Sequence, residues 1–311
     1  MKSVDNTSSI SQDQLCIEDL TDRFIVLFKQ ESSYDADNYL NNIREECREE
    51  GKKVVDEKCR STMANWCYKI LDFCSCSHEV ASVAMSHVDR FLSTEMGNFV
   101  IYDRRWFQLA VMCALQISIK THESGKLDMS ALIQLGRGAF SEDEIIGMEE
   151  EIAFALRWRL CPPTPFVFME NLMELFPSKL PNAMKNVLQK FVKKQIFLTV
   201  PKYSFIKDKP SHIAFAAILN SMDEIKLFPA DSRKAFIQNA KSIAGLSYND
   251  SNILQVRSNI YELMATKPEK KKTNKNIRSN TTSRDYLNQN QDSPVCVRQG
   301  VEKMEDTARR D

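Results

Sequence analysis

Two stretches of this chain constrain its fold more than anything else in it: Arg104–Lys120 and Ser211–Leu219, each apolar almost all the way round a helix. In the first, Trp106, Phe107, Leu109, Ala110, Val111, Met112, Ala114, Leu115, Ile117 and Ile119 leave hardly any polar face, and such a helix is stable only when others wrap it. The second, in the other half of the chain, makes the same demand. Two hubs imply two bundles, and 311 residues suffice for two domains that each bury a core. With 8 glycines and 10 prolines the chain favours long helices over a turn-rich β architecture.

The surrounding helices follow from periodicity. Cys59, Met63, Trp66, Cys67, Ile70, Leu71 and Cys74 recur at three- and four-residue intervals, as do Val80, Val83, Ala84, His87, Val88, Phe91 and Leu92. Ser141 to Glu144 reads as a capping box, with Phe140 and Ile145 placed as its hydrophobic staple. That helix runs on through Ile145, Met148, Ile152 and Leu156 to Trp158, until Cys161-Pro162-Pro163-Thr164-Pro165 stops it and starts the next. Further helices are expected near 165–176, 182–199, 210–222, 231–243 and 250–265, and one or two short ones within 15–50. The expected fold is all-α: two tandem five-helix bundles with flexible extensions at both ends. Its divisions are a flexible segment at 1–20, a helical extension at 21–54, a first bundle at 55–162, a second at 163–266 and a disordered tail at 267–311, where the sequence turns polar.

Composition excludes several functions. The 42 basic and 42 acidic residues cancel, so no global field draws the molecule to nucleic acid or an anionic membrane. No apolar run reaches the roughly 20 residues needed to span a bilayer, and Met1–Gln14 lacks the layout of a signal peptide, so a soluble intracellular protein is expected. The nine cysteines show no CxxC pair; Cys74 and Cys76 lack partners at zinc-ligand spacing, and reduced thiols without metal or cofactor are expected. His78, His87, His122 and His212 show no catalytic spacing, and no GxSxG, P-loop, HExxH or kinase signature occurs, so the chain is not expected to be an enzyme. His87 reads as a satisfied core group.

One pair of charges stands out. Arg60 shares a face with Met63 and Cys67, and Asp89 sits between Val88 and Phe91, so both face burial and each needs an opposite charge. A structural ion pair between them is expected.

At these residues the sequence resembles the cyclin family. Arg60 and Trp66 are similar to the arginine and tryptophan of the first cyclin-box helix, Asp89-Arg90-Phe91-Leu92 matches the family's DRFL, and Gln108-Leu109 stands for its LQL. The resemblance is strong over about 55–165 and weaker over 166–265, where Lys209-Pro210-Ser211 opens an alanine-rich helix. It implies a regulatory subunit that binds and activates a cyclin-dependent serine/threonine kinase in G1/S-like cell-cycle control, as one subunit of a heterodimer found in nucleus and cytoplasm. It also implies kinase contact by Lys120 and Glu149, with apolar support from Ile117, Trp158 and Leu160. A substrate-docking patch for RxL-bearing substrates or inhibitors would comprise Cys59, Thr62, Met63, Trp66 and Gln108, with Cys59 and Thr62 smaller than the family's apolar residues. Gln14-Leu15-Cys16-Ile17-Glu18 resembles the LxCxE motif of D-type cyclins with its first leucine replaced. Arg284-Asp285-Tyr286-Leu287 has the form of a destruction signal, Ser293-Pro294 that of a phosphosite, and Lys270–Lys275 that of a nuclear import signal. The alternatives are a transcription-linked cyclin and a TFIIB-type scaffold that uses the same fold to bind DNA or transcription factors.

Overall fold

The computed structural model describes residues 12–42, 54–123 and 127–265, without the side chains of 12–17 and 42. The described residues form eleven α-helices and three short 3-10 turns, with no strand. The helices are α1 (Gln12–Glu31), α2 (Glu57–Phe73), α3 (Glu79–Leu92), α4 (Arg104–His122), α5 (Met129–Leu135), α6 (Glu142–Ala155), α7 (Pro165–Met173), α8 (Asn182–Thr199), α9 (Pro210–Glu224), α10 (Ala230–Ile243) and α11 (Ser251–Ala265). The chain divides into two compact units.

One unit comprises Asp35–Pro162 and Phe197–Lys207 and is built on α4, whose residues from Phe107 to Ile119 are all buried. Asp103 caps α4 by accepting from the Arg105 amide at 2.7 Å, and α3 and α6 pack along it. Truncating any of its large apolar side chains should cost about 2–5 kcal/mol, because a close-packed core collapses only partly around a void. Asp56 caps α2 through the Cys59 amide at 2.7 Å, and Arg104 reaches back to its carboxylate at 2.9 Å. Asp128 caps the short α5, which sequence periodicity passes over because seven residues hold too few repeats to show a stripe. Gly97, between α3 and α4, is dictated by space: a Cβ there would lie 2.1 Å from the Phe91 carbonyl oxygen.

The other unit comprises the described residues up to Tyr34, Pro163–Ile196 and Asp208–Glu262. Its hub is α9, with Ile213 to Met222 all buried and α7 packed against it. Thr164 caps α7 ahead of Pro165. Phe176 stacks on Phe236 with ring centroids 4.2 Å apart, and Phe215 leans on the same ring. The N-terminal helix belongs here, not ahead of the other core. Phe28 meets Phe168, Arg23 forks onto Glu174 at 2.8 and 3.0 Å, and buried Glu31 accepts from the Ser211 amide and hydroxyl at 2.7 and 2.9 Å, capping α9. The expected boundary between a flexible segment and a helical extension at residue 20 therefore falls inside a single 20-residue helix. The expected tail, with Lys270–Lys275, the Arg284–Leu287 motif and Ser293-Pro294, lies outside the described residues, as do the side chains of Gln14 to Ile17.

Candidate functional site

The outward edge of α4 and α6 carries the features that a partner could read. The capping box fixes where α6 starts: the Ser141 hydroxyl accepts from the Glu144 amide at 3.2 Å and the Ser141 amide donates to the Glu144 carboxylate at 2.9 Å. Arg105 of α4 holds the same carboxylate at 2.7 Å and so ties the two helices together. Further along α4, Lys120 donates to both Glu149 oxygens at 2.9 Å. The lysine side chain is 50% exposed and the glutamate 18%, so the pair stands at the surface with hydrogen-bonding capacity left for another chain.

Apolar groups flank the pair. Ile145, Met148 and Ile152 turn α6 to the core, while Ile146 and Phe154 lie on its outward stripe. Phe154 is 64% exposed, and its ring meets that of Trp158, 67% exposed, edge to face at 6.3 Å. Exposed large aromatic groups side by side are a mark of an interaction surface. Of the residues implied by resemblance, Lys120, Glu149 and Trp158 reach this surface, Leu160 is half-buried against the core, and Ile117 is only 7% exposed. The resemblance does not single out Phe154, yet its position off the Ile145, Met148 and Ile152 stripe marks it as outward.

Arg60 and Asp89 meet in the same unit. Arg60 donates from Nε and Nη2 to the two carboxylate oxygens at 2.8 and 2.6 Å, and both groups are buried. Tyr39 donates to Asp89 at 2.9 Å, and the third Arg60 nitrogen donates to the Val200 carbonyl at 2.9 Å. The site thus joins α2, α3, the turn at Tyr39 and the 197–207 segment. Burial would lower the Arg60 pKa, yet the Asp89 charge beside it holds the value above the ordinary one, and burial pushes the Tyr39 hydroxyl well up.

The patch expected on α2 and α4 is not an open one. Met63 and Gln108 lie in the core, Cys59 and Trp66 are buried, and Thr62 is partly exposed with its hydroxyl donating to the Lys58 carbonyl at 2.7 Å. The physical reason is the stripe itself: the face that brings Met63 and Trp66 together is the face α2 buries. The described residues hold no helix long and apolar enough to cross a membrane, and no group of three or more His, Cys, Asp or Glu able to hold a metal. Cys67, Cys113 and Cys161 are free thiols.

Residues 27–161 match the cyclin N-terminal domain and residues 163–294 the cyclin C-terminal domain, so the chain belongs to the cyclin family, whose members are regulatory subunits of cyclin-dependent kinases and not themselves enzymes. Within that family it is D-type-like. It is 26% identical to the G1/S-specific cyclin-D1 of Xenopus laevis over 215 residues, covering 68% of this chain and 69% of that protein. It is also 26% identical to the G1/S-specific cyclin-D1 of Homo sapiens over 178 residues, 57% of each chain. In fold it is similar to a viral cyclin from herpesvirus saimiri solved by X-ray, with a TM-score of 0.57 at 17% identity, covering 79% of this chain and 97% of the other.

Proposed function

We propose that this chain binds and activates a cyclin-dependent serine/threonine kinase through the α4–α6 edge, acting at G1/S in nucleus and cytoplasm. The observation that carries the reading is the surface-paired Lys120 and Glu149 beside the exposed Phe154 and Trp158. Phosphoryl transfer by a protein kinase requires the glutamate of its αC helix to be swung in onto the β3 lysine. A partner that binds only that state shifts the kinase toward it by its differential affinity, with no chemistry of its own. An ion pair flanked by aromatic groups is suited to such docking, because the rings supply buried area and the charges set register against backbone groups of the kinase helix. The G1/S assignment draws on likeness to cyclin-D1 relatives.

The experiment is co-precipitation of the kinase with Lys120→Ala, Glu149→Lys and the double variant, alongside circular dichroism. Loss of the kinase with helical content intact is expected; retained binding in the double variant removes the surface from the account. Identification of the bound kinase and of the cell-cycle phase in which the chain accumulates tests the finer assignment, and recovery of a kinase acting on RNA polymerase would move the chain to the transcription-linked alternative. For RxL-bearing ligands, weak or absent binding is the expected result of a peptide titration, because Met63 and Gln108 are buried.

A further inference from the structure

Helix α6 ends in a way its sequence does not announce. The Trp158 amide donates to the Ala153 carbonyl and the Arg157 amide to the Phe154 carbonyl, both at 2.9 Å, the two bonds of a Schellman turn. Such turns ordinarily place glycine in the left-handed region. Here Arg157 and Trp158 both occupy it, with φ of +53° and +59°. Two successive side-chain-bearing residues in that region persist only where the surroundings hold them.

Two buried side chains of α3 supply the hold. Arg90 donates from Nη1 to the Arg159 carbonyl at 3.0 Å, and His87 Nε2 lies 3.0 Å from the Leu160 carbonyl. Burial pushes the His87 pKa down to about 4, with the Arg90 and His122 charges acting the same way, so the ring is neutral at physiological pH. A neutral imidazole has one N–H, and with that hydrogen on Nε2 the ring donates to the Leu160 carbonyl, which only accepts. Nδ1 then faces the Ser118 hydroxyl at 3.1 Å, and that hydroxyl also donates to the Ala114 carbonyl at 2.7 Å. His87 thus spans from Ser118 on α4 to the segment after the turn.

We infer that His87 and Arg90 are positioning residues: by holding the carbonyls of Leu160 and Arg159 they lock the left-handed turn and set where Trp158 stands on the partner-facing edge. The inference rests on the reading of that edge as a kinase surface, but its first test does not need the kinase. The full chain has three tryptophans, Trp66, Trp106 and Trp158, which 5-fluorotryptophan labelling reports separately by fluorine NMR once Trp158→Phe has assigned its signal. In His87→Phe, which keeps the ring and removes the hydrogen bond, the Trp158 signal should shift or split while those of Trp66 and Trp106 stay. His87→Gln, whose amide can still donate to Leu160, should return it toward the wild-type position. A Trp158 signal unmoved in folded His87→Phe overturns the inference. Should that variant fail to fold, Arg90→Met, which removes the bond to the Arg159 carbonyl, carries the same test, and an unmoved Trp158 signal there overturns it equally.

The second test joins the two readings. Against the kinase bound by the wild-type chain, His87→Phe should weaken binding about tenfold, yet cause no further loss in a Trp158→Ala background, because it acts through that ring. Additive losses would show that His87 does not work through Trp158. Normal kinase binding by both Lys120→Ala and Trp158→Ala would sink the kinase reading alone, leaving the fluorine result to decide the turn.

Discussion

The same chemistry appears twice in one unit with opposite consequences. Arg60–Asp89 and Lys120–Glu149 are both two-pronged pairs of a cation and a carboxylate at hydrogen-bonding distance. The first is sealed among α2, α3, Tyr39 and the Val200 carbonyl; the second sits at the edge of α4 and α6 with the lysine half in water. Water decides what each is for. A sealed pair cannot lose a member without stranding the other, so it specifies the fold. An exposed pair exchanges partners readily, so it is free to meet another protein.

The strongest way to break that contrast is at the sealed site. Arg60→Ala should destabilise the unit by about 3–5 kcal/mol, because Asp89 would keep only the Tyr39 hydroxyl as donor among these partners while remaining buried. Denaturant unfolding measures it. A melting temperature equal to that of the wild type would mean that the buried pair contributes nothing net.

His87 sharpens the contrast next, because it is a buried titratable group in the same helix as Asp89. Its folded pKa of about 4 lies below the ordinary 6.5, so between those values the unfolded chain binds more protons than the folded one. Stability is therefore complete above about pH 6.5 and declines as pH falls toward 4, by up to about 3 kcal/mol. Ser118, the Leu160 and Ala114 carbonyls, Arg90 and His122 are the polar and charged groups acting on it, and none is an acid. Unfolding across that range should show a slope that His87→Phe flattens. Glu144, held below its ordinary 4.5 by the Ser141 amide and Arg105, adds a loss only at lower pH, as its carboxylate is protonated, so the two can be separated.

These sites differ also in how far the sequence discloses them. The hub helices and the α6 capping box are local patterns, written in consecutive residues, and periodicity reads them directly. Arg60 and Asp89 show as charges inside apolar stripes, which is a conflict visible without a structure. Lys120 and Glu149 offer no such conflict: each reads as a solvated helix charge, and only resemblance to the cyclin box singles them out. The packing of α1 against the α7–α11 unit is not legible, because the Arg23–Glu174 and Glu31–Ser211 contacts join residues far apart in the chain. Nor is the left-handed turn, since neither Arg157 nor Trp158 is the glycine that would signal it.

That turn allows a smaller test. Left-handed backbone costs a side-chain-bearing residue about 1–2 kcal/mol, and glycine returns part of the gain through its freer unfolded state. Arg157→Gly should therefore stabilise the chain by roughly 1 kcal/mol or less, read as a small rise in melting temperature. A fall would mean that the Arg157 side chain makes a stabilising contact that outweighs the strain.

The smallest effect is expected at the exposed pair, and its size separates a docking group from a structural one. Lys120→Ala removes both bonds to Glu149, but the carboxylate left behind is reached by water, so little desolvation is stranded. The change in unfolding free energy should stay below about 1 kcal/mol and shrink further as salt is added, since an exposed pair is screened. Arg60→Ala measured in the same buffers should show far weaker salt dependence, because ions do not enter the space around Asp89. If the two substitutions destabilised the chain equally, burial would not be what separates them, and Lys120 would have to be counted as part of the fold and not as a group held ready for a partner.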